Sequence, residues 1–359
     1  MSGAPGAAAP RDATPRDGRP RDATAMRADA APRVSVVMPT YRRPDLLARC
    51  LESLVAQLPV AGGYEVVVAD DGPDEATRAM VERFAARSGA RRGGPALRYE
   101  PRAPDGAKGP AAARNRGWRA ARGAIVAFTD DDTVPAPDWL ARGAAAIEAG
   151  ADAAWGHVVM PIPAVPTDYE RDAHGLEGAE FVTANCLVRR DALERVGGFD
   201  ERFELAWRED SDLFFSLLAH GLRVVPAPEA VVLHPVRPAR WGVSVSQQKK
   251  AQFDALLYKK HPDLYRRRIA HGGPPWRYYA ILAALVVAAG GLAAGSPRTA
   301  AAGGAAWAAL TARFARQRLR GTSKAPAHVA EMLLTSAAIP PLSVYWRLRG
   351  AARFRVRFA

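Results

Sequence analysis

Three successive carboxylates, Asp130, Asp131 and Asp132, follow an apolar run from Ala124 to Phe128 and precede Thr133-Val134-Pro135. Like charges this close cost stability unless a cation neutralises them, so a hard divalent ion such as Mg²⁺ is the economical explanation, with a nucleotide's phosphates completing its shell. An acidic turn capping the next helix is the competing explanation for the triplet alone. A second acidic group, Glu209-Asp210-Ser211-Asp212, opens a helical pattern in which Asp210 precedes Leu213, Phe214, Leu217 and Leu218 by three, four, seven and eight positions. That spacing predicts an inward-pointing Asp210 carboxylate, with Glu209 and Asp212 to either side of the stripe. Partial desolvation would raise its pKa and suit it to general-base work, whereas a favourable position against the helix dipole accounts for Glu209 and Asp212.

Two further groups add to this chemistry. Lys108-Gly109-Pro110 leads into an Ala-rich helix over Ala111 to Ala121, where Arg114 is a candidate partner for a diphosphate and the small residues permit close approach. A solvated basic helix face would look the same. His234 ends the apolar run Val231-Val232-Leu233, and its surroundings suit a metal ligand and a hydrogen-bonded core histidine equally.

The elements that must hold these groups follow from apolar periodicity. Val34 to Met38 reads as a buried strand ended by Pro39, and Leu46, Leu47, Cys50, Leu51, Leu54, Val55 and Leu58 follow at helical spacing. Glu65 to Ala69 is a second strand, with Asp70-Asp71-Gly72 turning into a helix that carries Val81 and Phe84; Leu97 to Tyr99 and Ala124 to Phe128 continue the alternation. Repeated strand and helix units predict an α/β fold with a mostly parallel central sheet and helices on both faces. In such sheets ligands collect beyond the carboxyl ends of the strands, where Thr40, Asp70, Asp71 and Asp130 to Asp132 all fall. The less regular half from Phe181 to His234, with a Gly197-Gly198 turn, is expected to form the acceptor side.

Composition bounds the rest. A net charge of +13 gathers toward the C-terminal third, while the acids concentrate between Asp70 and Asp212. Two cysteines exclude a disulfide framework and zinc-ligand pairs, and a reduced cytoplasmic setting with no export signal is expected. Residues 1–32 repeat Pro-Arg-Asp-Ala blocks and are expected to be disordered, with Met26 a second candidate start. A catalytic domain is expected over 33–238, a basic connecting segment over 239–277, and a membrane-associated helical region over 278–359. Tyr278 to Gly295 is uncharged and about long enough to span a bilayer core of roughly 30 Å; Thr299 to Ala312 is shorter and Ala/Gly-rich, and Val329 to Val344 contains a Pro340-Pro341 break. Arg266 to Arg268 and the cations from Arg313 to Lys324 flank the first two, so a hairpin entering from the cytoplasmic face is expected. Apolar stretches between the basic clusters disfavour nucleic acid as the partner.

Taken in order, VSVVMPTYRR, VVVADDG, GPAAARNRGW, IVAFTDDDTVP, TANCLVRR, GGFDERF and WREDSDLFFSLLAHG resemble the pattern of glycosyltransferase family 2 over roughly residues 33–236. The resemblance implies a glycosyltransferase A-type fold, a nucleotide-diphospho-sugar donor, Mg²⁺ or Mn²⁺, and an inverting single displacement onto a lipid-linked or saccharide acceptor. It implies that Thr40, Tyr41, Asp70, Asp71, Arg114 and Asp131 bind the nucleotide-sugar, and that Asp130, Asp132 and His234 hold the metal. Asp210 would be the base, with Asn185, Trp207 and Glu209 on the acceptor side. Arg43 departs from the pattern after the first strand. A nucleotidyltransferase of related fold is the enzymatic alternative, disfavoured by the lack of a Gly-rich loop after that strand; a non-catalytic membrane adaptor is the other.

Overall fold

The structure, a computed structural model, describes residues 31–91, 93–270 and 275–358. The expected disordered tail lies outside these residues except for Ala31 and Pro32. In chain order the elements are β1 (Val34–Thr40), α1 (Pro44–Val55), β2 (Tyr64–Asp70), α2 (Glu75–Gly89), β3 (Ala96–Pro101), α3 (Pro110–Ala120), β4 (Ile125–Thr129), β5 (Val134–Pro135), α4 (Trp139–Glu148), β6 (Ala153–Val159), α5 (Asp168–His174), β7 (Asn185–Arg189), α6 (Arg190–Val196), α7 (Glu209–Ala219), β8 (Val224–Leu233), α8 (Val243–Gln247), α9 (Gln252–Lys260), α10 (Pro262–Arg268), α11 (Trp276–Ala293), α12 (Pro297–Leu319) and α13 (Pro326–Phe354).

The strands form one sheet in the order β3-β2-β1-β4-β7-β6-β8-β5. The first four are mutually parallel; β7 runs antiparallel to both β4 and β6, and β5 runs antiparallel to β8. Alternation along β1 divides the core. Val34, Val36 and Met38 pack with Leu47, Leu51 and Leu54 of α1, whereas Val37 joins Trp118 of α3, Phe128 and Phe199 on the other face. Full burial of such side chains stabilises by about 1.5–3 kcal/mol each, which explains why strands covered on both faces read as unbroken apolar runs. Contrary to the expected stop at Pro39, β1 continues to Thr40, because Pro39 lies past the last residue paired with β4.

The C-terminal part departs most from expectation. Instead of a connector, 239–277 includes α8, α9 and α10, and Phe253, Leu256 and Leu257 of α9 are completely buried in the α3 and α7 core. Phe354 and Phe358 close the same cluster, so the last helix returns to the catalytic body. α13 runs unbroken through Pro340 and Pro341, since Pro removes a helix bond but neighbouring packing can hold the segment. α11 and α12 meet through glycines: a Cβ on Gly303 would lie 2.5 Å from Ala288 N, and one on Gly291 2.4 Å from Ala300 N. Among the described residues α11 alone is long and apolar enough to cross a membrane, with mean hydropathy 1.5. Leu285, Val286, Val287 and Leu292 are exposed along it.

Candidate active site

The parallel, in-register pairing of β1 with β2 sets Thr40 beside Asp70, and β4 delivers the acidic triplet next to them. Each acid of the triplet meets its own arginine. Asp130 Oδ1 accepts from Arg114 Nη2 at 2.7 Å; Asp131 accepts from Thr40 Oγ1 at 2.8 Å and Arg43 Nη1 at 3.3 Å; Asp132 Oδ2 lies 2.9 Å from Arg237 Nε. His234 Nε2 is 3.7 Å from Asp132 Oδ1, and one donor atom from each of Asp130, Asp132 and His234 lies within 4.8 Å of the others. β8 positions the imidazole through the His234 amide, which donates to Val159 O of β6 at 2.8 Å. Burial works to raise the Asp130 carboxyl, but Arg114 leads a set of cations that hold it below its ordinary value. Burial dominates at Asp131 and pushes it up to about 6 against the pull of Arg43 and Thr40.

Arg114 reaches the site because α3 can press onto the sheet. Its buried face is Ala111, Ala112, Ala113, Asn115 and Gly117, and a Cβ on Gly117 would stand 2.5 Å from Val37 Cγ1. Gly109, at φ +102, opens the helix and donates its N–H to Asp71 Oδ2 at 2.9 Å. The diphosphate expectation for Arg114 needs correction: it is 3% exposed, and its two Nη groups are held by Asp130 and by Glu209 at 3.1 Å. It ties α7 to the triplet instead of presenting a free guanidinium.

The two acids after β2 also divide. Asp70 is fully buried, accepting from Gly72 N at 2.9 Å on one oxygen and from Tyr99 OH at 2.8 Å on the other, so it shapes the turn. Asp71 Oδ1 is buried with no hydrogen-bond partner among the described residues, 3.6 Å from Arg102 Nε, and burial raises its carboxyl. Tyr41 is 51% exposed and lies against Gly72, where a Cβ would come within 2.6 Å of its ring.

On α7 the inward stripe falls differently from the prediction. Glu209 and Asp212 are the buried acids and Asp210 is half-buried, because a second layer, α9 and α10, covers a flank that sequence spacing treats as outside. Asp212 accepts from Lys260 Nζ at 2.7 Å and lies 3.1 Å from His261 Nε2, a structural ion pair. Among the described residues Asp210 is bonded only through Oδ1, by Ser211 N at 2.6 Å and Ser211 Oγ at 3.3 Å, and burial raises its carboxyl. Burial, then the charge of Asp210, pushes Glu209 up to about 7 despite Arg114. Arg208, at φ +74, sets the start of this helix in a left-handed conformation that costs a non-glycine residue of order 1 kcal/mol or more. Trp207 is partly exposed, bonded to Asp254 at 3.2 Å and stacked under Arg208. Asn185, expected on the acceptor side, is completely buried; it accepts from Trp139 Nε1 and donates to His157 O and Ala230 O, fastening β6, β7 and β8.

Sequence reasoning passed over Arg237, Lys250 and the pairing role of Arg43. Lys250 stacks over Trp207 at 5.5 Å, and burial lowers its ammonium pKa although Glu209 opposes this. Arg237 follows His234 by three positions, the one local signal that could have marked it.

The model of the family described as Glycosyl transferase family group 2 matches residues 125–346, more than half the chain, and that of Glycosyl transferase family 2 matches 35–199. The chain belongs to glycosyltransferase family 2. It is similar to the glycosyltransferase AglE of Haloferax volcanii, 30% identical over 58% of this chain and 68% of that protein. It is also similar to the succinoglycan biosynthesis protein ExoO of Rhizobium meliloti, 32% identical over 58% of this chain and 62% of that one. Among solved structures, the mannosyltransferase PcManGT of Pyrobaculum calidifontis, in complex with GDP-Man and Mn²⁺, superposes with a TM-score of 0.57 at 25% identity, covering 89% of this chain and 87% of that one. This family 2 enzyme therefore has the glycosyltransferase A-type fold, and its activity is glycosyl transfer.

Proposed function

We propose that the enzyme moves a sugar from a nucleotide-diphospho-sugar to a hydroxyl of a saccharide or lipid-linked acceptor by a single inverting displacement, on the cytoplasmic face of the membrane. The observation that carries this reading is the convergence of Asp130, Asp132 and His234, tied through Arg114 to Glu209 in the first turn of α7. Two carboxylates and an imidazole fit a divalent ion, and the buried His234 Nδ1 has no partner among the described residues, so the ring is not used up by the core. Mg²⁺ would accept the carboxylates; the imidazole, together with the Mn²⁺ of the mannosyltransferase, favours Mn²⁺. An ion held there would offset the charge that develops on the departing diphosphate.

The chain's own groups take the remaining tasks. Thr40, Tyr41 and the unpartnered oxygen of Asp71 face the nucleoside side. Arg43 and Arg237, both partly exposed and each bonded to one acid of the triplet, are the cations able to turn toward a diphosphate. Asp210, with its second oxygen unbonded and its pKa raised, takes the acceptor proton, while Arg114 fixes α7 relative to the triplet. Trp207 and Glu209 border the acceptor. The name of the succinoglycan relative supports a polysaccharide or glycolipid product, and α11 supports membrane attachment.

A screen of nucleotide-sugars by nucleotide release tests the reading, using the full chain with Mg²⁺ or Mn²⁺. Release is expected from one donor class, and a chelator is expected to abolish it. Silence with every donor, or release indifferent to the chelator, overturns it.

A further inference from the structure

A cavity of about 450 Å³ opens between α5, the segment after β8 and the first turns of α13. Its size falls within the roughly 300–1,000 Å³ of small-ligand sites. Arg237 forms part of its wall and is the same residue whose Nε meets Asp132, so the cavity adjoins the acidic site across one side chain. His328 of α13 also lines it. That imidazole is 7% exposed, neither ring nitrogen has a hydrogen-bond partner among the described residues, and its nearest acid is Glu331, 3.9 Å from Nδ1. Leaving such a group unsatisfied is costly, so a buried imidazole facing a polar cavity is best explained by a ligand that bonds to it.

The charges around the cavity identify the class of ligand. Its cations are Arg237, Arg240 and Arg318, and its carboxylates are Asp168, Glu170 and Glu331. Arg237 is already neutralised by Asp132, and Arg318 by Asp168 at 2.8 Å. A phosphate would find little net positive field here. A polyhydroxyl ligand suits the lining better, because its hydroxyls can donate to the carboxylates and accept from guanidinium, while Tyr169 supplies an apolar face.

The geometry points to this cavity as an outer acceptor subsite, holding through His328 an uncharged saccharide unit other than the one that meets Asp210. The inference rests on the proposed transfer reaction, but its test reads binding and needs no turnover. Saturation-transfer NMR on the full chain would compare methyl glucosides, mannosides and galactosides with glucose 1-phosphate and inorganic phosphate. At least one methyl glycoside is expected to bind the wild type and Asp210→Asn alike. Binding is expected to weaken about tenfold or more in His328→Leu, in line with the loss of one or two hydrogen bonds, and to survive better in His328→Gln, which keeps a donor and an acceptor. UDP and GDP affinities should be unchanged in both variants. If His328→Leu does not fold, as judged by its melting curve, His328→Ala takes its place with the same expectation. The pocket is overturned if no methyl glycoside binds, if only the phosphates bind, or if glycoside binding is indifferent to residue 328. Failure of the transfer reaction would show itself separately, as nucleotide release from no donor.

Discussion

At the scale of single residues, the site is a set of carboxylates kept in different states by what touches them. Asp130 is held charged by Arg114, whereas Glu209, sharing the same arginine but more deeply buried beside Asp210, is pushed up to about 7. On the proposed mechanism, Asp210→Asn leaves nucleotide affinity nearly intact and lowers turnover by about a hundredfold or more, the scale of a lost general base. Wild-type turnover in that variant removes the assignment. Glu209 yields a separate test. Its folded pKa lies above its ordinary value of 4.5, so its contribution to stability is complete below that value and is lost as pH rises toward about 7. The stability of the wild type relative to Glu209→Gln should therefore fall between about pH 4.5 and 7, read from melting curves of both proteins. A difference that stays constant across that window counts against the burial argument.

At the scale of elements, α3 decides whether the site is assembled. It carries Arg114, and it lies close enough to β1 only because residue 117 has no side chain. Gly117→Ala improves helix propensity by about 1 kcal/mol, but the new methyl meets Val37, a stiff and fully buried side chain, and overpacking costs about 1–3 kcal/mol. The second effect wins. The variant is expected to melt a few degrees lower and to lose activity as Arg114 moves away from Asp130. A double-mutant cycle with Val37→Ala should show coupling between the two positions, and strict additivity would refute the steric explanation. The helix–helix contact that buries Asp212 against Lys260 and His261 belongs to the same scale, since it separates one acid of α7 from the chemistry of the other two.

At the scale of the whole molecule, the C-terminal helices are anchored to the catalytic body and also present an apolar surface away from it. Arg318 fastens α12 to Asp168 of α5 and to Thr335 and Ser336 of α13, while Phe354 reaches back to the α9 core. α11 has 18 residues and rises about 27 Å at 1.5 Å per residue, close to the thickness of a bilayer core. Given the proposed membrane attachment, the full chain should sediment with membranes. Val286→Asp combined with Val287→Asp should shift it to the supernatant, since each central acid costs about 2.5–3.5 kcal/mol in the bilayer. Recovery of the unmodified chain in a detergent-free supernatant would falsify the attachment.

The order of motifs, the apolar strands and the turn residues were legible from the chain alone, because they depend on local periodicity and on which side chains a short segment can bury. The central sheet, the acidic triplet at the end of β4 and the helix bearing Glu209 and Asp210 all follow from that. Three matters were not local. Whether Asp210 or Asp212 faces inward depended on α9 and α10, more than forty residues further along, covering one flank of α7. Whether Arg114 was free depended on two acids arriving from β4 and α7. Asn185, a polar residue that looked available, is consumed by three hydrogen bonds from strands and a helix that sequence spacing cannot bring together. Periodicity fixes which face of an element is apolar, but a polar side chain's partners are set by long-range packing, and those partners decide whether it is structural or free to act.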